Sequence, residues 1–590
     1  MHHFAEYAIF GTLMCANLGL GLFFAFNRRK KAATTDEMFL GSRTMQTIPL
    51  AMSVLASMLS AIGIIGFSGH YYTFGFHYLW NFTSAPLVSL IVAKVIIPVL
   101  YDLKVTSVFE YLRLRFGNKI GLTACALYFF ISQTVGAVAL YAASVAISTL
   151  FPVSLLWSTV AIGVAGTMYT ALGGLRGVVW TDCVQSVLIL MAPITVVVKV
   201  AFDAHRKNVK LRPLSDFNVK EYFMESSLDF TKDENVWAVL IGLFVHSIFR
   251  SGLDQVVVQR YLAARKLGEA QRTLYIGVAL NAAYSVIMGS MALALVYWFR
   301  DCDPMLSGAI SKLDQILPYY VKENLSDFTG FSGMFLTGVV SAATSTISSI
   351  INSQAAVFYV DVIAPYTKLS DAQATKLNRN LALGFGLLMT LCATAVPYLG
   401  SVVRIILVMH NGATGPFVGL FLLALAFPWA NSKGAAVATC LTTGLQFWLV
   451  LGKFLNNIQA PKMTVTLDYC PASYTSLIKN STSSFPTQTS PHGSQDALPF
   501  YYLSAYWSGL FSALLTIVLG LSVSILTGGR KKCRDHVRLT SGAFLGLWRK
   551  IGLLPGESVV PGKGAQDELA DILKNEFARE YSLISNQSNV

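Results

Sequence analysis

The sequence predicts an all-α protein that crosses a lipid bilayer about thirteen times. Three observations carry that expectation. Of 590 residues, 54% are hydrophobic and only 13% charged, roughly half the charged share of an average soluble domain, so too few polar side chains exist to cover a water-soluble surface. The apolar residues fall into blocks of about 20, the length that crosses bilayer hydrocarbon. The basic residues behind the net charge of +13 gather in short runs between those blocks. Asn27-Arg28-Arg29-Lys30-Lys31 and Arg530-Lys531-Lys532 are examples, and they follow the positive-inside rule of cytosolic loops rather than a nucleic-acid surface.

The blocks run near 7–26, 48–71, 79–103, 120–150, 153–171, 178–201, 236–262, 274–299, 331–364, 381–398, 402–427, 435–454 and 501–526. They are helices because hydrocarbon offers no partner to unpaired backbone groups, and the alternating ten-residue pattern of a barrel is absent from them. The first block reads as a retained helix, since no basic stretch precedes it. Its basic flank follows it, which puts the N-terminus outside and, with an odd number of spans, the C-terminus in the cytosol. Lys104, Arg113, Arg115 and Lys119, and then Arg260, Arg265, Lys266 and Arg272, read as cytosolic loop charges.

The loop 455–500 is then extracellular, with Asn480-Ser481-Thr482 as a glycan acceptor; Asn324-Leu325-Ser326 is a second. Asn81 lies too close to a span. Of eight cysteines, only Cys302 and Cys470 fall in predicted extracellular loops. A bridge between them is expected there, two thiols being the alternative. The tail from about 530 is polar, and 567–581 suits an amphipathic helix. The final Ser588-Asn589-Val590 suits capture of a strand and its carboxylate in a PDZ groove, an uninvolved tail being the alternative.

The chain has no Gly-x-x-x-x-Gly-Lys-Ser/Thr, His-Glu-x-x-His or paired Cys-x-x-Cys, so transport here draws on an ion gradient or on the solute's own rather than on ATP. Gly63, Gly66 and Gly69 weaken the second span, where loosened carbonyls coordinate a cation or small residues permit a close helix contact. The span at 331–364 carries Ser341, Thr344, Ser345, Thr346, Ser348, Ser349 and Ser353. Hydroxyl and carbonyl oxygens are hard donors suited to Na⁺, and Ser345 and Ser349 share a helix face. Asp182, an acid just inside a span, is a cation ligand or the partner of Arg176.

Four segments, in order, resemble the sodium/solute symporter family. They are Thr106-Ser107-Val108-Phe109-Glu110-Tyr111-Leu112, Ala171-Leu172-Gly173-Gly174 through Trp180-Thr181-Asp182 and Gln185, Asp254-Gln255 through Gln259-Arg260-Tyr261-Leu262, and Gly415-Pro416-Phe417-Val418-Gly419. The third has Asp254 where the family usually has Asn. Phe500-Tyr501-Tyr502 and Ser524-Ile525-Leu526-Thr527-Gly528 are similar to the branch of multivitamin, monocarboxylate and iodide transporters. The resemblance implies a five-plus-five inverted repeat like that of the leucine transporter, and so a division of the chain. Residues 1–46 form an extra helix and basic loop, 47–201 the first repeat, 202–235 an extracellular loop and 236–427 the second repeat. Residues 428–528 add two helices, and 529–590 the tail.

It implies a sodium site at Ala56, Leu59, Ala342, Ser345 and Thr346, and a second at Asp182 with Ser348 and Ser349. Ser60, Gly63, His246, Ser247, Arg250 and Arg404 are the candidate substrate residues. Gly63 leaves room for a bulkier solute. Arg250 and Arg404 are departures that suit an organic anion bidentately, pairing of Arg250 with Asp254 and reach of Arg404 to the outer interface being the alternatives. The implied function is sodium-coupled import of a vitamin-type or monocarboxylate anion across the plasma membrane, with Na⁺ as co-substrate and no other cofactor. An uncoupled or sensing member of the fold and an inorganic-anion symporter are the alternatives. An embedded enzyme lacks a nucleophile–base pair around His70, His246 or His410.

Overall fold

The apolar blocks are helices in the computed structural model, which describes residues 2–27, 35–206, 213–325, 328–399 without 368, 402–470 without 457 and 459, 498–529 and 536–554. Among the described residues there is no strand. Among the described residues eight helices are long and apolar enough to cross a bilayer, and nine when one bent pair counts as a single span. Asn480, Cys533, 567–581 and Ser588–Val590 lie outside the described residues.

Helix α1 is His2–Asn27. The next span is broken into α2, Thr47–Met58, and α3, Phe67–Phe74, with a wide turn at Ile62–Gly66 and a bend of 50°. Then come α4 (His77–Asp102), α5 (Asn118–Leu150) and α6 (Leu155–Arg206). A second broken span joins α7, Phe244–Ile248, through a loosened turn at Phe249–Leu253 to α8, Gln255–Leu262. After it run α9 (Leu267–Phe299), α10 (Phe331–Val357), α11 (Asp371–Ala395), α12 (Val402–Ala426), α13 (Ser432–Leu455) and α14 (Ala505–Leu526). A nine-residue helix, α15 (Gly542–Lys550), belongs to a separate unit from residue 542 onward; the helix expected in the tail was at 567–581, outside the described residues.

Two elements differ from the sequence reading. The blocks 153–171 and 178–201 form one hydrogen-bonded run of 52 residues. Such a run is about 78 Å long, far beyond the roughly 30 Å of hydrocarbon. Gly174, at φ 59° and ψ −175°, breaks it, a conformation a Cβ would oppose. Helix α11 starts ten residues before its apolar block, because Ser370 and Gln373 form a capping box.

Helix α10 is the core of the unit that ends at residue 541: nearly all of its residues are buried, against α6, α5, α1 and α11. Its N-terminus is held by the extra helix α1. The Glu6 carboxylate accepts from Gly330 N at 2.6 Å and Gly333 N at 2.5 Å, taking up unpaired amides at the positive end of the dipole. Cys302 and Cys470 are bonded, which ties the end of α9 to the 460–470 segment. That segment reaches α3, with Met463 N donating to Thr73 O at 2.7 Å.

Candidate sodium and solute site

Helix α2 ends because Leu59 is extended (φ −86°, ψ 134°). The extension leaves carbonyls at the end of α2 without their usual intrahelical donors. Ser60 Oγ supports the break by accepting from Ile62 N at 3.1 Å. Two hydroxyls from α10 take up the exposed carbonyls. Ser345 Oγ donates to Ala56 O at 3.2 Å, and Thr346 Oγ1 to Leu59 O at 3.3 Å and to Ala342 O at 2.9 Å. The five residues that the resemblance implied for sodium therefore meet at one break. Two hydroxyl and three carbonyl oxygens converge there, the hard donor set that an alkali cation takes.

Asp182 lies beside this cradle and is completely buried. It accepts from Ser53 Oγ at 2.5 Å, Ser345 Oγ at 2.7 Å and Arg260 Nη2 at 3.2 Å. Its partner is thus Arg260 and not Arg176, which bonds Glu37 at 3.2 Å and Thr44 at 2.9 Å. The reading of Arg260 as a cytosolic loop charge is corrected here: α8 carries it inward until none of it is exposed. Arg115, read likewise as a loop charge, is buried too and bonds Phe427 O at 2.9 Å. Arg260 sits at the end of an apolar run and Arg115 in a short helix, Val108–Phe116, between two of them, where net hydropathy alone does not separate a buried helix turn from a loop.

Of the two hydroxyls grouped with Asp182, Ser349 receives Arg260 Nη2 at 2.6 Å and lies 3.2 Å from Ser57 Oγ. Ser348 Oγ instead donates to Ser345 O, one turn back in its own helix, at 3.0 Å. The guanidinium, fixed also by Ser53 Oγ and Val256 O, spans from the carboxylate to Ser349.

The second break faces the first. Asp254 is extended (φ −69°, ψ 115°) and caps α8 by accepting from Val256 N at 3.1 Å. Its other contacts are the Tyr128 hydroxyl at 3.2 Å and the guanidinium of Arg250, one turn earlier. Arg250 is a quarter exposed, so its charge is open to the interior space. Two cavities meet at it. The smaller, about 40 Å³, is lined also by Ser57, Ser60, Asp254, Thr346 and His410. The larger, about 200 Å³, takes in Gly63, Tyr78, Asn81, His246 and Ser247. A Cβ at Gly63 would meet nothing within 4 Å, so that glycine lines space rather than a helix contact. Ser247 donates to Asn81 Oδ1 at 2.9 Å.

Of the candidate substrate residues, Ser60, Gly63, His246, Ser247 and Arg250 are brought to these two cavities. Arg404 falls near the start of α12, and its side chain is outside what the structure describes. Reading the sequence missed Arg260, Ser53, Tyr128 and His410 as site residues. The sequence signal for Arg260 was its place within the Gln259-Arg260-Tyr261-Leu262 block. Asn324 is buried and its amide donates to Tyr320 O at 3.2 Å, which engages the nitrogen a glycan would need.

The sodium:solute symporter family model matches residues 38–442. Sodium-coupled monocarboxylate transporter 2 of Homo sapiens is 31% identical over 535 residues, covering 89% of this chain and 84% of the relative. Sodium-coupled monocarboxylate transporter 1 of Mus musculus is 30% identical over 559 residues, covering 92% and 90%. Among solved structures, a Na⁺-coupled sialic acid symporter in a substrate-bound outward-open state is similar at a TM-score of 0.70. It shares 22% identity, over 88% of this chain and 98% of that one, a likeness of fold. The two broken spans, the hydroxyl-rich α10 between them and the matched span of more than two thirds of the chain lead to one conclusion: this protein belongs to the sodium:solute symporter family.

Proposed function

We propose that the protein is a sodium-coupled symporter that imports a small organic anion across the plasma membrane by alternating access. The observation that carries this reading is the shared wall of two sites. Thr346 offers its hydroxyl to the cation cradle and also lines the cavity that holds Arg250. A cation and an anion bound there are neighbours in a poorly screened interior, where each favours the other. The guanidinium gives a carboxylate a two-pronged partner, and a cavity of about 200 Å³ suits a small solute.

In the same reading the two broken spans are the first helices of two inverted five-helix repeats, 47–201 and 236–427, within about thirteen spans. Half-helix ends then supply the ligands, as broken membrane helices commonly do. The N-terminus is extracellular and the tail cytosolic, with Asn480 glycosylated in the 455–500 loop and Ser588–Val590 open to a PDZ domain. Na⁺ bridging α2 and α10 favours the outward-open state.

The test is uptake by injected oocytes of a labelled panel spanning lactate, biotin, pantothenate and iodide, with external Na⁺ exchanged for choline. Uptake of at least one organic anion is expected, falling to the level of water-injected cells in choline. Undiminished uptake in choline would refute the coupling, and uptake of iodide alone would assign the chain to an inorganic anion.

A further inference from the structure

Helix α15 is encoded in its own short sequence. Phe544, Leu547, Trp548 and Ile551 recur at steps of three and four and share one face. Gly542, Gly546, Arg549 and Lys550 make the opposite one. The stop is local too. Gly552 lies at φ 79°, its amide donates to Arg549 O at 3.0 Å, and Leu553 N donates to Trp548 O at 2.9 Å. A left-handed glycine with this pair of bonds closes a helix and takes up its last carbonyls.

The apolar face is left open. Leu547 and Ile551 are 43% and 58% exposed, and Leu553, just past the stop, is 56% exposed. A single exposed leucine is ordinary. Three such residues within two turns, beside Arg549 and Lys550, make a surface that fits a partner.

The chain ahead of the helix says where that surface starts. Ser541 N donates to Leu425 O at 2.9 Å, in the last turn of α12, and Leu539 O accepts from the Tyr111 hydroxyl at 2.9 Å. The end of α14 is bound to the same region, where Asn431 Nδ2 donates to Ser524 O at 3.2 Å and to Thr527 Oγ1 at 2.8 Å. Helix α15 begins at the next residue after Ser541, so it begins where the spans leave the bilayer. Its charge is one-sided. Arg530-Lys531-Lys532, Arg534 and Arg538 precede it and Arg549-Lys550 close it, with Asp535 the one acid between 530 and 550.

We propose that α15 lies along the cytosolic leaflet, with its apolar face among the acyl chains and its basic residues on anionic phospholipid headgroups. Leucines and an aromatic on one face, with cations beside them, are the pattern that seeks this boundary. The cytosolic leaflet is negatively charged and draws basic segments. The long stems of Arg549 and Lys550 let their charges reach the headgroups while the helix is immersed. Nine residues bury too little apolar area to hold a free peptide on a membrane, but attachment at Ser541 keeps this helix at high effective concentration. A protein that wraps a basic helix would have to reach one that starts flush with the bilayer. The proposal goes beyond the transport reading and depends only on the cytosolic side of the tail.

The test uses the full-length protein carrying Leu547→p-benzoylphenylalanine or Ile551→p-benzoylphenylalanine. Both positions are exposed, so the fold is kept. The protein is placed in nanodiscs of phosphatidylcholine with about one part in four phosphatidylserine, illuminated, and its adducts are read by mass spectrometry. Phospholipid adducts are expected at both positions and not at Gly546→p-benzoylphenylalanine, on the opposite face, where a Cβ meets nothing within 4 Å. Phosphatidylserine should be captured at about three times its share of the disc or more. Salt at about 1 M, where the Debye length is about 3 Å, should return capture to that share, and so should Arg549→Gln/Lys550→Gln. Absence of lipid adducts would overturn the inference, as would lipid capture indifferent to phosphatidylserine. Adducts with the protein's own chain, with a second copy or, in intact cells, with another protein would overturn it too. None of these outcomes bears on sodium-coupled uptake, which is measured separately.

Discussion

Asp182→Ala is expected to destabilise the protein by about 3–5 kcal/mol, because it leaves Arg260 charged and unpaired where no water reaches it. Four elements converge on this pair: Ser53 from α2, Asp182 from α6, Arg260 from α8, and Ser345 and Ser349 from α10. The damage is therefore not local. Purified in detergent, the variant should melt well below the wild type and reach the cell surface poorly. Removing both charges in Asp182→Ala/Arg260→Met should recover much of the loss, since a buried pair can be replaced by apolar groups at little cost. A single variant that melts with the wild type would show that the pair does not hold these helices together.

Thr346→Ala and Ser345→Ala are expected to raise the Na⁺ concentration for half-maximal uptake by about ten- to a hundredfold each. The estimate follows from the roughly 1.5–3 kcal/mol that a hydrogen-bonding group contributes toward a charge. Ser348→Ala is the control. Its hydroxyl bonds back into its own helix at 3.0 Å, so its loss should leave Na⁺ dependence within about twofold. Uptake against Na⁺ concentration at constant ionic strength separates these outcomes. Equal effects from all three serine and threonine variants would mean that α10 is merely weakened by losing hydroxyls.

The breaks in the two spans were legible to different degrees. Gly63, Gly66 and Gly69 marked the first, and the extended residue proved to be Leu59, just ahead of them. The hydroxyls of α10 were readable from the sequence, and the family resemblance supplied Ala56, Leu59 and Ala342 as the carbonyls beside them; the hydrogen bonds bring these residues together. Burial of Arg260 was not readable. Its neighbours Arg265 and Lys266 made it look like one more basic loop residue, and only the packing of α8 against α2 and α10 reveals the acid it serves. The pairing of Arg250 with Asp254 was readable from one-turn spacing. Its proximity to His410 was not, since 160 residues separate them and the two lie on different helices. Local periodicity gives helices and faces. It does not say which faces meet.

The central claim is that the break in α2 and the hydroxyls of α10 form a sodium site, and ligand-linked stability tests it without knowledge of the solute. A ligand that binds only the folded state stabilises it by about 2.7 kcal/mol at a hundredfold excess over its dissociation constant. The measurement is the melting temperature of the purified protein as Na⁺ replaces choline at fixed ionic strength, with K⁺ as the comparison ion. The wild type should melt progressively higher with Na⁺ and not with K⁺, and Thr346→Ala should need at least tenfold more Na⁺ for the same rise. Equal stabilisation by K⁺ and Na⁺, or a Thr346→Ala curve that overlays the wild type, would contradict the account.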